Sequence, residues 1–312
     1  MMKVSFVIPC YCSQHMLNLV VNEIVEAMQQ LEKYEYEIIL VNDCSPDATF
    51  KTICNITGQN EKVTGVDLAK NFGQHAALMA GFHQVTGDIV VCLDDDGQTP
   101  AGEVGKLLDK IEEGYDVVYA SYENKRHSSF RNFGSWVNGK MTEFMLDKPA
   151  SLMITSYFAA RRFMIEEMIR YEHCYPYVIG LVLRSTKNIC NVPVSHQKRK
   201  EGKSGYTIGK LLSLWINGFT SFSVKPLRMA TYFGVFSSIC GLLYLIYIIL
   251  LYVSVHSAPL GWSSTTAILL ILGGVILVVL GLIGEYVGRI YMCTNAAPQF
   301  VIREVVKNCE RE

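Results

Sequence analysis

Short apolar runs alternate with amphipathic stretches along the first part of the chain, as far as Pro226. The runs predict strands at residues 3–11, 36–43, 63–68, 88–94 and 116–121. Helical periodicity predicts helices at residues 18–32, 47–57 and 75–85, with another after Pro100. This alternation predicts an α/β fold with a doubly wound, mainly parallel sheet, and the runs rich in Val and Ile are typical of strands covered on both faces.

Beyond Pro226 charged residues almost disappear. Residues 229–255 and 265–284 carry no charge, and both runs reach the roughly 20 residues that a helix needs to cross a bilayer. They predict a two-helix transmembrane hairpin, with a pair of buried core helices as the alternative. Basic residues flank the hairpin at Lys225, Arg228, Arg289, Arg303 and Lys307. The positive-inside rule therefore predicts a multi-pass protein of the cytoplasmic membrane with both termini in the cytoplasm.

Residues 206–222 place apolar side chains at near-helical spacing, with Trp215 and Phe219 among them. This pattern predicts an amphipathic helix in the membrane plane or, alternatively, one packed on the globular domain. The predicted organisation is a globular domain at residues 1–205, a juxtamembrane segment at 206–228, the hairpin at 229–288 and a cytoplasmic tail at 289–312.

Composition excludes some classes of function. The formal net charge is −1, so no global charge bias indicates nucleic acid binding. The ten cysteines include no CxxC pair, which disfavours a thiolate zinc site. We interpret them as buried, reduced thiols of a protein that faces a cytosol. Neither GxGxxG nor GxxxxGK[ST] is present, which disfavours a dinucleotide fold and a P-loop.

In sheets of this kind, ligands bind beyond the carboxyl ends of the strands. The residues at those ends are polar or aromatic: Pro9, Tyr11, Asn42, Asp43, Asn71 and Asp94 to Asp96. Residues 94–98, DDDGQ, form what we call the acidic turn, in which Gly97 would permit a reversal of the chain. Two carboxylates and the amide oxygen of Gln98 suit a Mg²⁺–diphosphate site, and a solvated acidic turn is the alternative.

At this point the chain resembles the family-2 glycosyltransferases of GT-A fold, and among them the polyprenyl-phosphate glycosyltransferases. The resemblance covers nearly the whole chain and rests on PCY at residues 9–11, VNDCSPDAT at 41–49, KNFGQHAALMAGF at 70–82 and LDDDGQTP at 93–100. Towards the C-terminus, RKEGKSGY at 199–206, FSVKPLR at 222–228 and GEYVGRIY at 284–291 are similar to formamido-arabinose transferases that act on undecaprenyl phosphate.

The resemblance implies a role for each matching residue. Pro9, Tyr11 and Asp43 would hold the nucleotide, and Asp94 and Asp95 would line the diphosphate. Asp94, Asp96 and Gln98 would bind Mg²⁺ or Mn²⁺. Arg131, Arg199 and Lys203 would approach the lipid phosphate. The resemblance also implies a homo-oligomer, such as a tetramer.

Several positions depart from the family pattern. Residues 42–45 are NDCS where the family usually has DDGS, and residues 94–98 are DDDGQ where it commonly has DADLQ. Residues 204–206 are SGY where the family usually has SKY, so that Lys203 would supply the missing basic contact. Tyr122 stands where an arginine is common, and Arg126 would substitute for it.

The implied reaction is an inverting transfer of a sugar from a nucleotide sugar, with a UDP-sugar favoured, to a polyprenyl phosphate. A lipid phosphate is already largely dianionic at neutral pH, so it needs no general base, and Asp94, Asp96 and Arg199 are the expected catalytic residues. The basic run Lys198, Arg199, Lys200 and Lys203 would hold that phosphate or, alternatively, would bind anionic headgroups. Two other functions stay open: a processive polysaccharide synthase, although no QxxRW occurs, and a non-catalytic membrane module that binds nucleotide sugars.

Overall fold

The computed structural model describes residues 1–122, 148–195, 261–295 and 297–307, together with Glu143 and isolated helical positions from 227 to 250. The chain divides into two compact units. One comprises Met1–Leu214 with Ala296–Glu312, and the other is Trp215–Asn295.

The first unit contains one sheet, built in its described part from β1 (Met2–Cys10), β2 (Tyr34–Asn42), β3 (Val63–Leu68), β4 (Ile89–Cys92), β5 (Val117–Tyr122), β6 (Phe158–Arg161), β7 (Ile189–Val194) and β8 (Ile302–Val306). The strand order is β7-β5-β6-β4-β1-β2-β3-β8. Strands β4, β1, β2 and β3 pair in parallel, as do β5 and β7, whereas β6 and β8 are antiparallel to their neighbours. The expected mainly parallel sheet is therefore confirmed.

Helices cover both faces of this sheet, as expected for a doubly wound fold. They are α1 (Leu17–Gln29), α2 (Thr49–Gln59), α3 (Gln74–Phe82), α4 (Val104–Glu112), α5 (Arg162–Ile169) and α6 (Val178–Ser185), and a 3₁₀ turn at Ala101–Glu103 precedes α4. Phe6 and Ile8 of β1 lie in a core cluster with residues of α1, α2 and α4. On the opposite face, a Cβ at Gly81 of α3 would lie 2.4 Å from Val7. Only glycine therefore lets α3 approach the sheet so closely.

Three strands, β6, β7 and β8, were not among those predicted. Strand β6 inserts antiparallel between β4 and β5, and its four residues are too few to show a clear period. Strand β8 comes from the segment that was expected to be a tail, and it pairs along β3 at the edge of the sheet. Arg303, counted above as a basic flank of the hairpin, lies within this strand.

The second unit contains α7 (Trp262–Thr294), which includes the predicted second span and extends beyond both of its ends. Within it, Leu272–Thr294 covers 23 residues and contains an 18-residue stretch with a mean hydropathy of 1.8, long and apolar enough to cross a membrane. The predicted first span is described only at isolated positions, all of them helical. Residues 251–260, which include most of the loop of the hairpin, and the predicted amphipathic helix at 206–222 lie outside the described residues.

Candidate functional site

The register of the sheet brings the carboxyl ends of three strands to one edge. Cys10 pairs with Asn42, and Asn42 pairs with Asp67, at the last positions of β1 and β2. Pro9 is buried within β1, beyond the point at which β4 stops pairing at Val7. The first four predicted strands therefore deliver their terminal residues to a common edge, as the sequence predicts.

Tyr11 and Asp95 meet where β1 and β4 end. The Tyr11 backbone N–H donates to Oδ2 of Asp95 at 3.0 Å, and the Tyr11 side chain is 52% exposed. The Asp95 carboxylate therefore holds the chain after β1, while the phenol ring of Tyr11 is open to a ligand. A nucleotide base could stack on such a ring.

Asp43 is buried, with 4% of its surface exposed. Its two carboxylate oxygens accept the backbone N–H groups of Phe72, at 2.7 Å, and of Gly73, at 2.8 Å. The Asn71 amide donates to the Asp43 carbonyl at 3.2 Å. Burial raises the pKa of Asp43, and the two backbone hydrogen bonds oppose that shift. Asp43 thus holds the loop that precedes α3, a contact that the predicted nucleotide role did not include.

Asp94 is held by two neutral side chains. Gln74, the first residue of α3, donates its amide to Oδ1 at 3.0 Å, and the Ser156 hydroxyl donates to Oδ2. Burial, reinforced by the negative charges of Asp96 and Asp95, raises the pKa of Asp94 to about 6. A carboxylate with this environment suits a site that receives a cation or a proton.

The acidic turn reverses at Gly97, as predicted. Gly97 has a φ of 68°, and a Cβ there would lie 2.8 Å from the Met16 side chain. Oδ1 of Asp96 accepts the Gln98 backbone N–H at 3.0 Å. Glycine is therefore required both for the left-handed backbone and for the space.

Tyr122, which ends β5, also lies close to the acidic turn. Burial, together with the charge of Asp94, raises its pKa to about 12. The phenol is therefore neutral at physiological pH and can donate a hydrogen bond. It does not replace the positive charge of the arginine that the family commonly has there.

The acidic turn offers a donor set that fits a divalent metal. Among the described residues no three His, Cys, Asp or Glu side chains form a metal cage. Asp94, Asp96 and Gln98 provide oxygen donors only, and two of them are carboxylates. Mg²⁺ and Mn²⁺ prefer oxygen ligands, and Mg²⁺ sites commonly combine one or two carboxylates with phosphate oxygens and water.

The basic residues of the predicted acceptor site, Arg131, Arg199 and Lys203, lie outside the described residues, as does Arg126. The described chain ends before this basic run at Ser195, whose backbone N–H donates to Glu103 at 3.1 Å. Its hydroxyl donates to the same carboxylate oxygen. This contact places Ser195, three residues before Lys198, on the 3₁₀ turn that follows the acidic turn.

Gln74 and Ser156 were not among the predicted site residues. Gln74 belongs to the motif at residues 70–82, so the motif could have indicated it. Ser156 is 62 residues from Asp94 along the chain and lies just before β6, one of the strands that were not predicted. No local pattern identifies it.

His75, the second residue of α3, is partly buried. Burial lowers its pKa to about 4, and its ring meets that of Tyr177 edge to face at 5.0 Å. Within the described part of the chain its Nδ1 has no hydrogen-bond partner.

Comparison with known proteins identifies the family of this chain. The family model for glycosyl transferase family 2 matches residues 5–169, and the model described as the GtrB C-terminal hairpin matches residues 225–290. Undecaprenyl-phosphate 4-deoxy-4-formamido-L-arabinose transferase of Proteus mirabilis is 34% identical, over 97% of this chain and 94% of that protein. The enzyme of the same name from Photorhabdus laumondii is 33% identical over the same shares.

A solved structure supports the fold. Glucosyl-3-phosphoglycerate synthase from Mycobacterium tuberculosis, in complex with Mn²⁺ and UDP-glucose, superposes with a TM-score of 0.53 at 17% identity. The match covers 69% of this chain and 75% of that chain. The first family model spans more than half of the chain, and the curated relatives match almost all of it. The chain therefore belongs to glycosyl transferase family 2.

Proposed function

We propose that this protein transfers a sugar from a nucleotide sugar, favouring a UDP-sugar, to a polyprenyl phosphate of the undecaprenyl type, with inversion at the anomeric carbon. The observation that carries the proposal is the nearly full-length similarity to two transferases named for undecaprenyl phosphate. The acidic turn at the carboxyl end of β4 supports it, because its oxygen donors suit a metal-bound diphosphate.

The donor half of the site is assigned to the ends of β1, β2 and β4. Tyr11 would stack on the base, and Pro9 and Asp43 would shape the nucleotide pocket, Asp43 through the loop that it holds. Asp94 and Asp95 would line the diphosphate. A Mg²⁺ or Mn²⁺ ion held by Asp94, Asp96 and Gln98 would stabilise the negative charge that develops on the leaving diphosphate.

The acceptor half needs positive charge rather than a base. The phosphate of a polyprenyl phosphate has a second pKa of about 6, so it is largely dianionic at neutral pH and can attack the anomeric carbon directly. Arg131, Arg199 and Lys203 are proposed to hold this dianion beside the acidic turn. Without them, the carboxylates of the turn would repel it.

The contact between Ser195 and Glu103 supports the place of Arg199. An extended chain spans about 3.3–3.6 Å per residue, so the Cα of Arg199 lies within roughly 14 Å of that of Ser195. Glu103 itself follows Asp96 by seven residues. The basic run begins at Lys198, three residues beyond this contact with the 3₁₀ turn that follows the acidic turn.

We further propose that the enzyme works at the cytoplasmic face of the membrane, anchored by a two-helix hairpin at residues 229–288 with both termini inside. The apolar helix α7 and the match to the GtrB C-terminal hairpin support this anchor. A lipid acceptor also favours a membrane anchor, because the polyprenyl chain stays in the bilayer. The proposed assembly is a homo-oligomer, such as a tetramer, which cross-linking in native membranes followed by mass analysis would test.

The test of function uses membranes that contain the full chain. Labelled UDP-sugars and GDP-sugars are supplied with undecaprenyl phosphate, and lipid-linked sugar is measured with and without EDTA. We expect one nucleotide sugar to give a single-sugar lipid in an EDTA-sensitive reaction. A polymeric product would indicate a processive synthase, and binding without transfer of any sugar would indicate a non-catalytic module; either overturns the proposal.

The acceptor assignment is tested by Arg199→Ala. A charge-assisted hydrogen bond to phosphate contributes about 1.5–3 kcal/mol, so kcat/KM for the lipid should fall roughly ten- to a hundredfold. Arg199→Lys should recover part of this loss, because lysine lacks the planar fork. If donor affinity falls and the lipid KM does not change, Arg199 belongs to the diphosphate site instead.

A further inference from the structure

Arg303 makes two contacts with the carboxyl end of β3. Its Nη1 lies 2.9 Å from Oδ2 of Asp67, and its Nη2 donates to the Ala69 carbonyl at 3.0 Å. The Arg303 side chain is 55% exposed, whereas that of Asp67 is only 3% exposed. A guanidinium on the last strand of the sheet thus neutralises a buried carboxylate at the edge that carries the site.

Asp67 is in turn connected by hydrogen bonds to the loops that follow β1 and β2, on the nucleotide side of the site. Oδ1 of Asp67 accepts the Asn42 amide at 2.7 Å, and Oδ1 of Asn42 accepts the Ser45 backbone N–H at 3.2 Å. The Ser45 hydroxyl in turn accepts the Cys12 backbone N–H at 3.1 Å. Hydrogen bonds therefore connect Arg303 to the residue that follows Tyr11.

Both loops hold backbone that needs such support. Cys12 has a φ of 55° and Cys44 a φ of 52°, and each is a non-glycine residue in the left-handed region. Backbone of this kind persists only where surrounding contacts determine it. The hydrogen bonds of Asn42 and Ser45 flank both positions, so we call residues 11–12 and 43–45 the donor loops.

The two hydrogen bonds of Asn42 require an amide side chain at this position. Its amide donates to a carboxylate on one side and accepts an N–H on the other, which an aspartate could not do. An aspartate at position 42 would place a second negative charge beside Asp67. The amide therefore depends on the charged Asp67, and Asp67 depends on Arg303, because a buried carboxylate without a cationic partner is costly.

We propose that Arg303 is a positioning residue for the nucleotide of the donor, acting through Asp67 and Asn42 on the donor loops. It touches no substrate itself, and the proposal rests on the proposed function for the identity of that substrate. Loss of the guanidinium weakens the hold on the donor loops and lowers nucleotide affinity, while Asp94, Asp96 and the residues assigned to the lipid phosphate are unchanged.

The experiment measures the affinity of the full-length protein for UDP and for GDP by calorimetry without acceptor, and then the KM of each substrate. Arg303→Met keeps the length of the side chain but removes its charge. We expect about tenfold weaker nucleotide binding and a similar rise in the donor KM, with kcat and the lipid KM within about twofold. Arg303→Lys should be intermediate. Glu304→Gln, on the next residue of the strand, is the matched control and should behave as wild type.

Unchanged nucleotide affinity in Arg303→Met would overturn the proposal. So would an equal rise in both KM values with a lowered Tm, because this pattern indicates general destabilisation. If Arg303→Met does not fold, Asn42→Asp tests the same hydrogen bonds and should weaken nucleotide binding about tenfold. Wild-type nucleotide affinity in Asn42→Asp would also overturn the proposal. If the wild-type protein binds nucleotide but transfers no sugar to lipid, the proposed function is refuted and the role of Arg303 is not. If the wild-type protein binds neither UDP nor GDP, the proposed function and the role of Arg303 are both refuted.

Discussion

Two groups of carboxylates lie at the same edge of the sheet, and their environments differ. Asp43 and Asp67 are 4% and 2% exposed, and the protein engages their oxygens with backbone N–H groups, an amide and a guanidinium. Asp94 and Asp96 are only half-buried, on a glycine turn. Asp94 also accepts hydrogen bonds from neutral donors, but burial and the neighbouring charges of Asp96 and Asp95 raise its pKa to about 6.

The difference separates structural support from chemistry. A buried carboxylate that is satisfied by the protein holds loops in place, and its removal should act on stability or on loop geometry. Repulsion within the acidic turn leaves a negative site that a cation would relieve. Adjacent residues of the α3 region serve both groups, since Gly73 donates to Asp43 and Gln74 donates to Asp94.

The largest expected effect tests the catalytic side of this comparison. Asp96→Asn keeps the shape of the turn but removes a carboxylate from the proposed metal site. Turnover should fall about a thousandfold, the order of loss seen when electrostatic stabilisation of a transition state is removed. Tm should change little. Asp109→Asn, an exposed acid on α4, is the control, and a loss of turnover below tenfold in Asp96→Asn would contradict the assignment.

Asp43→Asn should show the opposite pattern. An amide at this position retains one acceptor and turns its NH₂ towards the N–H of Phe72 or Gly73, which leaves a buried donor unsatisfied. The free energy of unfolding should drop by about 2–3 kcal/mol, as measured by urea denaturation. The exposed Glu61→Gln serves as the control. Wild-type stability with lost turnover would place Asp43 with the catalytic group instead.

Ser156→Ala should have a smaller effect, because it removes one neutral donor from Asp94 and keeps the carboxylate. A hydrogen bond to a charged group contributes about 1.5 kcal/mol at the lower end, so kcat/KM should fall roughly tenfold. Ser151→Ala, an exposed position nearby in the chain, controls for the lost hydroxyl. Full activity in Ser156→Ala would show that this hydrogen bond does not orient Asp94 for the reaction.

The smallest expected effect is a pH dependence of stability that arises from His75 on α3, the helix beside both groups of carboxylates. Burial lowers the pKa of His75 from 6.5 to about 4, so the unfolded state takes up a proton first as pH falls. Stability is therefore lost as pH falls below 6.5, progressively down to about 4. His75→Phe keeps an aromatic ring against Tyr177 and removes the titration. Its Tm should fall less than that of wild type between pH 7 and pH 5, and equal falls would contradict this explanation.

Some of this molecule could be predicted from the sequence alone. The alternation of strands and helices, the polar residues at strand ends and the turn at Gly97 depend on periodicity and on local backbone preference, which a short window of sequence displays. Position at the end of a strand was enough to select Tyr11, Asp43 and Asp94, because parallel strands deliver their carboxyl ends to one edge.

The partners of those residues were decided by tertiary structure. Ser156 meets Asp94 across 62 residues of chain, and Arg303 meets Asp67 across 236. Both contacts depend on antiparallel strands, β6 and β8, that are too short to carry a clear period. A hydrogen bond between distant residues leaves no pattern in a single sequence, so only the pairing of the strands shows which carboxylates hold the site together and which remain for its chemistry.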